Sequence, residues 1–338
     1  PGDLRVGLDG TAHLAWHDHD AEDAVSVSID AAGNTRREYI QTSGSHDGWD
    51  NSLAFDSNGV LFQSSVDPSG FGATTSLSVA ALNETGWKRE MVAGSGSFMY
   101  GFNTSLAFDL QNEPHVLFTA AEDWTAAGDL NHAFRADNDW HIETVVTGGI
   151  RGRFPTLAYD RRGRAHAAWI DINLDDSRLA SVRHGVLENG TWVISEVGIL
   201  NNVDLGFSGG RKQTSVAVES ADKVHIASGD RRVINYATLH ADGWKTEKLL
   251  ESDEDLYNGL VVLRFNPTND EPAIAFWQPD DVEPGIVRML TIATTSGDFN
   301  SDGEVDVMDI DLLAAGIRER TSDSVFDVDL SGEVLSLI

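Results

Sequence analysis

The chain has 338 residues, 41% of them hydrophobic and 23% charged, which is enough for two folded domains or one large all-β unit. Its 54 acidic and 24 basic residues give a formal net charge of −30, and such an acidic surface repels nucleic acid and anionic membranes. The absence of cysteine excludes disulfides, thiolate metal sites and thiol nucleophiles, and no run of about 18 apolar residues is available to span a membrane.

One phrase of alternating apolar residues recurs six times along the first 290 residues or so. The copies read LRVGLDGTAHLAW from Leu4, SLAFDSNGVLFQS from Ser52, SLAFDLQNEPHVLF from Ser105, TLAYDRRGRAHAAW from Thr156, SVAVESADKVHIAS from Ser215 and VLRFNPTNDEPAIAFW from Val262. Successive copies start about 47 to 59 residues apart, which is the period of propeller blades rather than of helical solenoids.

Each copy predicts two strands joined by a turn, because its apolar residues alternate on both sides of a Gly, Asn or Asp. A third strand follows, and a fourth opens with tryptophan in four copies, at Trp87, Trp140, Trp192 and Trp244. The predicted fold is therefore all-β: a β-propeller of about six four-stranded blades, with an irregular pair of sandwiches as the alternative. The last copy shows no clear fourth strand, so either the N-terminus completes that blade or an upstream piece is missing.

Residues that recur at one position in every blade are expected to pack blades together rather than to perform chemistry. This applies to the tryptophans that open the fourth strands. It applies equally to four histidines at the start of the second strands, His13, His115, His166 and His225. We therefore leave these histidines out of any predicted active site.

The turns before the fourth strands, NETGW, DNDW, ENGTW and ADGW, resemble a worn form of the Asp-box turn of sialidase-type propellers. The phrase GRFPTLAYD, with Arg153 and Pro155, is also similar to the arginine-x-proline opening of a sialidase blade. The resemblance implies the propeller architecture. A sialidase mechanism would further require three clustered arginines and a tyrosine–glutamate pair, and the sequence does not assign that pair.

In a propeller, the loops that enter the first strands and leave the second strands open onto one face, where function is expected. Four equivalent aspartates at the ends of second strands are the candidate catalytic residues: Asp18, Asp67, Asp171 and Asp230. Their counterparts in the other two copies are Ala120 and Gln278. Converging carboxylates could supply the general acid and its ionised partner that glycoside cleavage needs. The alternative is that each aspartate caps a turn by accepting backbone N–H bonds.

The same loops carry cationic and aromatic residues that suit sugars, since arginine binds carboxylates through paired hydrogen bonds and aromatic rings stack on sugar faces. The candidate substrate-binding residues are His46, Trp49, Tyr100, Arg151, Arg153, Arg211, Arg231 and Trp277.

A calcium-binding loop is predicted at DFNSDGEVDVMD, which starts at residue 298. Calcium takes six to eight oxygen ligands, and the spacing of this loop wraps them around one ion, with Gly303 at the tight turn. A second loop, DVDLSGEV, starts at residue 327 and reaches Ile338 where its closing carboxylate is expected. The predicted metal ligands are Asp298, Asn300, Asp302, Glu304, Asp309, Asp327, Asp329 and Ser331.

This segment resembles a type I dockerin module, because two such loops follow one another, the first closes with Asp rather than Glu, and no helix precedes it. The resemblance implies Ca²⁺ as a cofactor, a short α-helix over Ile310 to Ile317, and a cohesin-like partner protein. Dockerins place recognition residues at loop positions 10 and 11, often small hydroxyl residues, whereas this chain has Val307 and Met308. The alternative is a calcium-stabilised tail without a partner.

Together these features predict a propeller at residues 1–294 and a dockerin-like module at 297–338. We expect a secreted or cell-surface protein whose propeller binds or processes carbohydrate. The open alternatives are a sialidase-like glycoside hydrolase or a lyase, and a non-catalytic surface or adhesion protein.

Overall fold

A computed structural model describes most of the propeller region of the chain. The described residues are 3–18, 20, 23–40, 49–68, 75–94, 99–121, 128–147, 153–172, 179–201, 203, 213–252, 261–266, 270–278 and 286–291. The predicted module at 297–338, including both calcium loops, lies outside them, and no helix occurs within them.

The described chain forms an all-β propeller of six blades, as the repeat predicts. Blade 1 contains β1 (Asp3–Val6), β2 (Ala12–Asp18), β3 (Asp23–Ile29) and β4 (Thr35–Tyr39). Blade 2 contains β5 (Trp49–Phe55), β6 (Leu61–Pro68), β7 (Thr75–Asn83) and β8 (Gly86–Gly94). Blade 3 contains β9 (Met99–Phe108), β10 (Pro114–Ala121), β11 (Gly128–Ala136) and β12 (Asp139–Val146).

Blade 4 contains β13 (Arg153–Tyr159), β14 (Ala165–Ile172), β15 (Ala180–Glu188) and β16 (Thr191–Leu200). Blade 5 contains β17 (Thr214–Val218), β18 (Val224–Gly229), β19 (Val233–His240) and β20 (Gly243–Glu251). The described part of blade 6 contains β21 (Val261–Phe265), β22 (Pro272–Gln278) and β23 (Ile286–Thr291).

Every neighbouring pair within a blade is antiparallel. The described N-terminal strand β1 pairs with β2 in blade 1, so it does not complete blade 6.

A repeated aspartate turn joins the first and second strands of several blades. In blade 2, Oδ1 of Asp56 accepts hydrogen bonds from the backbone N–H groups of Asn58 (2.9 Å) and Val60 (2.7 Å). Gly59 completes the turn with a φ of 78°, which a glycine adopts without steric cost. Asp109 and Asp160 make the same two bonds in blades 3 and 4, so these carboxylates shape the hairpins.

The first strands lie innermost, where β1, β5, β9, β13, β17 and β21 contact one another in turn. The hydrophobic core lies between blades: Leu106 of blade 3 packs with Leu77 of blade 2, and Leu263 of blade 6 packs with Ile234 of blade 5. Because strands one and three start at the same end of every antiparallel blade, that end is one face of the propeller. We call it the entry face.

Neighbouring blades are also joined by hydrogen bonds at one repeated position of the inner strands. Oγ of Ser52 accepts the N–H of Leu106 at 3.1 Å, and Oγ of Ser105 accepts the N–H of Leu157 at 3.0 Å. The same bond runs from Leu53 to Oδ2 of Asp3 (2.9 Å), from Val216 to Oγ1 of Thr156 (3.0 Å) and from Leu263 to Oγ of Ser215 (3.0 Å). Four of the acceptors are hydroxyls and the fifth is the carboxylate of Asp3. We call these five bonds the hydroxyl ladder, and they hold five of the six junctions around the axis.

Within the described residues, no helix has the length and apolar character needed to cross a membrane.

Candidate functional site

The inner strands of blades 2, 3 and 4 begin with an irregular backbone at the entry face. Asp50, Asn103 and Phe154 occupy one equivalent position and have φ values of 51°, 54° and 53°, a region that residues other than glycine seldom adopt. The strand register slips at this place in all three blades, as in a β-bulge. Oδ2 of Asp50 accepts the N–H of Asn103 at 3.2 Å, and Oδ1 of Asn103 accepts the N–H of Phe154 at 3.3 Å. The three strand starts are thereby linked to one another.

Several buried polar side chains gather at these strand starts. They are Asp50, Asn51, Gln63 and Gln213, which are 5%, 3%, 1% and 0% exposed. Nε2 of Gln63 donates a hydrogen bond to Oδ1 of Asn51, which joins β6 to the start of β5. Burying amides and a carboxylate opposes folding unless hydrogen bonds replace their water contacts. The entry end of the inner strands is therefore a polar layer next to the apolar clusters between the blades.

Arg153, one of the predicted substrate-binding residues, lies at the start of β13 in this layer. It is only partly exposed, and burial lowers the pKa of its guanidinium while the charge of Asp50 opposes that change. Within the described part of the chain, its guanidinium makes no hydrogen bond or ion pair at bonding distance. Arginine carries five donors in a fixed planar fork, so Arg153 can offer paired donors to a ligand oxygen or carboxylate.

The described rim aspartates are each bonded within the fold. Oδ2 of Asp18 accepts a hydrogen bond from Arg37 in β4 of the same blade, and its Oδ1 accepts the N–H of Asp20 at 3.0 Å. Asp171 accepts Nε1 of Trp169 at 2.9 Å and faces Nε of Arg183 at 3.4 Å. These bonds hold both carboxylates within their own blades.

Asp230 is 2% exposed and has the turn-capping geometry that was the alternative to catalysis. Its Oδ1 accepts the N–H groups of Arg232 (2.8 Å) and Val233 (2.9 Å), and its Oδ2 accepts that of Asn201 at 3.2 Å. The carboxylate thus holds the turn between β18 and β19 to the end of blade 4. Its catalytic role stays a prediction.

The other predicted propeller residues are placed only in part. Arg231 is exposed in the turn after β18. The backbones of Asp67, Trp49, Tyr100 and Trp277 lie in β6, β5, β9 and β22, but their side chains are not among the described ones. His46, Arg151 and Arg211 lie outside the described residues, as do all eight predicted calcium ligands. In the described part of the chain, no group of three or more His, Asp or Glu side chains is arranged to hold a metal ion.

The repeated histidines lie between strands, with their rings largely buried. Nδ1 of His115 lies 2.9 Å from Nε2 of His132, whose Nδ1 bonds Oε1 of Glu143 at 2.9 Å. His166 and His184 form a similar pair at 3.1 Å. Burial is the main reason that the pKa of His115 is lowered to about 4 and that of His184 to about 3. The rings pack across blades, as expected from their repetition.

Sequence reasoning missed Asp50, Asn51, Gln63, Asn103 and Gln213. The signal that could have found most of them is their position, since four lie one to two residues before the recurring phrase. At that position an inner strand begins beside the central axis. A polar residue there indicates a candidate site more directly than a polar residue at the end of a second strand.

No family model and no curated protein matches this chain. Solved structures do match it in fold. A protein of unknown function from Dyadobacter fermentans superposes with a TM-score of 0.61 at 10% identity, covering 85% of this chain and 92% of that one. An α-L-arabinofuranosidase of Fusarium graminearum, of glycoside hydrolase family 93, gives 0.58 at 12% identity, covering 86% and 92%. An α-L-arabinanase of Penicillium chrysogenum gives 0.58 at 11% identity with the same coverage. At these identities the likeness establishes the six-bladed propeller fold.

Proposed function

We propose that this propeller binds carbohydrate at its entry face and that Arg153 is a principal ligand contact. The observation that carries the proposal is a partly buried guanidinium, with no bonded partner in the described chain, inside a layer of buried polar groups at the axis. A ligand rich in hydroxyl or carboxyl oxygens would satisfy these donors, whereas an apolar ligand would leave them without partners. The similar structures from Fusarium and Penicillium, which are carbohydrate-active enzymes with arabinobiose bound, favour the same class of ligand.

Binding to an array of glycans, including arabinans and uronic-acid polymers, tests this proposal. We expect Arg153→Ala to weaken binding of any positive glycan by at least about tenfold, the loss expected for a charged hydrogen bond. Arg36→Ala is the matched control, because Arg36 is a largely exposed arginine on the outer strand of blade 1. Equal binding by the two variants would place the glycan site elsewhere.

Glycoside hydrolysis is the second candidate, favoured by the arabinofuranosidase and arabinanase folds. It would use rim carboxylates such as Asp18 and Asp171 as acid and base. A panel of chromogenic glycosides separates it from binding alone. Turnover that Asp171→Asn or Asp18→Asn abolishes would establish catalysis, whereas glycan binding without turnover would leave a binding protein.

We further propose that the segment from residue 298 binds Ca²⁺ and attaches a secreted protein to a cohesin-like partner. The spacing of its oxygen-bearing residues supports the first part, and the two successive loops support the second. Calorimetric titration with CaCl₂ should give heat that Asp298→Ala removes. An unchanged isotherm would contradict calcium binding at this loop.

A further inference from the structure

The junction between blade 6 and blade 1 differs from the other five junctions in its inner-strand hydrogen bond and in the exposure of its apolar residues. We call this junction the seam. In the other five blades, the residue at one position of the inner strand accepts the hydrogen bond from the next blade. In blade 6 this position is Val262, whose side chain has no acceptor. The N–H of Leu4, whose equivalents bond the preceding blade, instead bonds Oδ1 of its own neighbour Asp3 at 2.9 Å. The hydroxyl ladder is thus interrupted at the seam.

The apolar residues that form blade interfaces elsewhere are exposed on the blade 1 side of the seam. Leu4 is 50% exposed, while its equivalents Leu53, Leu106, Leu157, Val216 and Leu263 are at most 8% exposed. Val6 is 59% exposed on the same strand. These side chains would pack on the preceding blade, as Leu157 does in the cluster with Leu117.

The blade 6 side shows the same contrast. Val287 is 72% exposed, whereas Leu130, Val182 and Ile234 at the equivalent position of other third strands are 0–1% exposed. Met289 is 68% exposed, whereas His132, His184 and Tyr236 are at most 6% exposed. Among the described residues, none of the hydrophobic clusters combines blade 6 with blade 1.

A charged residue stands at the inner end of the seam. Arg264 occupies the position that is Ala54, Ala107, Ala158 and Ala217 in blades 2 to 5 and Arg5 in blade 1. Its pKa is lowered to about 10, first by burial and then by the like charge of Arg5, and only Asp3 opposes this. Although its surroundings lower the pKa in this way, the residue as a whole is exposed. Its Nη1 donates a hydrogen bond to the carbonyl oxygen of Leu263 at 2.7 Å, and no carboxylate in the described chain lies within ion-pair distance of it. The seam is therefore apolar along its walls and cationic at its inner end.

The residues that follow β23 combine acidic charge with an apolar face, and this combination complements the cationic end and the apolar walls of the seam. The 47 residues after Thr291 contain eleven acidic and two basic residues. They also carry Ile310, Leu313 and Ile317, which share one face of a helix by their spacing. The last described residue before the segment, Thr291, lies two residues after Met289 in β23, the strand that forms a wall of the seam. A tether of about 20 residues gives it an effective concentration in the millimolar range, which a separate partner would have to exceed.

We propose that the C-terminal segment of this chain docks in the seam, with the apolar run 310–317 against Leu4, Val6, Val287 and Met289 and its acidic residues near Arg264. The docked segment would cover the apolar walls and place carboxylates beside the unpaired charge. The six blades and the C-terminal calcium-loop segment would then form one unit, rather than a propeller and an independent module. This inference does not depend on the sugar site, which lies at the entry face.

Cysteine cross-linking tests the docking directly, because the native chain contains no cysteine. Met289→Cys is combined with Leu313→Cys in the full chain and oxidised with a mild disulfide catalyst. Val193→Cys with Leu313→Cys is the matched control, since Val193 is a 52% exposed strand residue on the outer strand of blade 4. We expect an intramolecular disulfide at Met289 in at least about tenfold greater yield than in the control, independent of protein concentration. Equal yields, or a disulfide that forms only between molecules, would overturn the proposal.

Hydrogen exchange provides a second readout that does not depend on the cysteine variants. In the full chain, Leu313→Asp should accelerate amide exchange in residues 3–8 and 286–291 by several-fold and leave the blade 3 and blade 4 strands unchanged. Unchanged exchange at both walls of the seam would also overturn the proposal.

Discussion

The hydroxyl ladder shows how single side chains hold the ring of blades together. An inner strand has one edge without a strand partner, so its backbone N–H groups need another acceptor. The hydroxyl of the preceding blade supplies it, and both groups are buried; Thr156 is 8% exposed and Val216, its donor, is 4% exposed. Each hydroxyl therefore does more than pack, because it satisfies an amide of the next blade.

Thr156→Val should destabilise the propeller although it keeps the shape of the side chain. The N–H of Val216 would lose its acceptor in a buried place, which costs about 1–3 kcal/mol. Thr156→Ser keeps the hydroxyl and should lose less than about 1 kcal/mol. Urea unfolding of the three proteins measures the difference, and equal stability of the Val and Ser variants would show that the bond contributes little.

Substitutions at Asp230 can distinguish a structural role for this aspartate from a catalytic one. Its carboxylate accepts three backbone N–H groups, so Asp230→Ala should lower the free energy of unfolding by about 2–3 kcal/mol. Asp230→Asn keeps one acceptor oxygen and should recover part of that stability without changing glycan binding. A stable Asn variant that has lost binding or turnover would instead make Asp230 a functional residue.

At the scale of strands, the histidine pairs make second and third strands sensitive to acid. His115 bonds His132 across β10 and β11, and His166 bonds His184 across β14 and β15. Each pair packs against a tryptophan of the next blade: Trp192 lies edge-on to His132, and Trp244 lies edge-on to His184. Protonation of these rings would place charge inside a blade interface.

The propeller should therefore lose stability as the pH falls from about 6.5 towards 4. In that range the unfolded histidines bind protons, while the folded His115, with a pKa of about 4, does not. For His115, a shift of this size amounts to about 2 kcal/mol between pH 7 and pH 5. Urea unfolding at the two pH values measures it. His115→Phe, which copies Phe62 of blade 2, should reduce the pH-dependent loss, and an unchanged loss would assign it to other groups.

The strands themselves could be predicted closely from the sequence, because packing in every blade repeats the same pattern. The fourth strands begin at Gly86, Asp139, Thr191 and Gly243, where the tryptophan phrases place them. The bulged starts of the inner strands could not be predicted, since Asp50, Asn103 and Phe154 have little in common as residue types and adopt positive φ for reasons of tertiary bonding. The polar layer around Arg153 depends on those bulges. The sequence therefore pointed to Arg153 but not to the polar residues around it.

At the scale of the whole molecule, the repeat predicts six blades but not how the ring closes. The inner strands of blades 2 to 5 carry a hydroxyl residue followed two positions later by alanine, and blade 1 carries Asp3 and Arg5 at the same two positions. Blade 6 alone has a residue without a side-chain acceptor, Val262, at the first of these positions, and the effect is visible only when the two walls of the seam are compared. The seam thus lacks the inner-strand hydrogen bond and the buried apolar contacts that the other five junctions have.

In a chain that carries Leu313→Asp, and so leaves the seam uncovered, Arg264→Ala should bring the seam closer to the other junctions. Alanine at this position leaves room for the leucine of the next blade, as Ala54 does for Leu106. The substitution also removes a cation that lies near Arg5, while its attraction to Asp3 is lost. If Leu4 becomes buried, the gain in apolar burial is on the order of 1 kcal/mol, and amide exchange in residues 3–8 should slow accordingly.

Arg5→Ala is the control, since Arg5 occupies the same position on blade 1 and faces a junction that is already packed. A lower stability and faster exchange for Arg264→Ala would show instead that the guanidinium holds the two walls together.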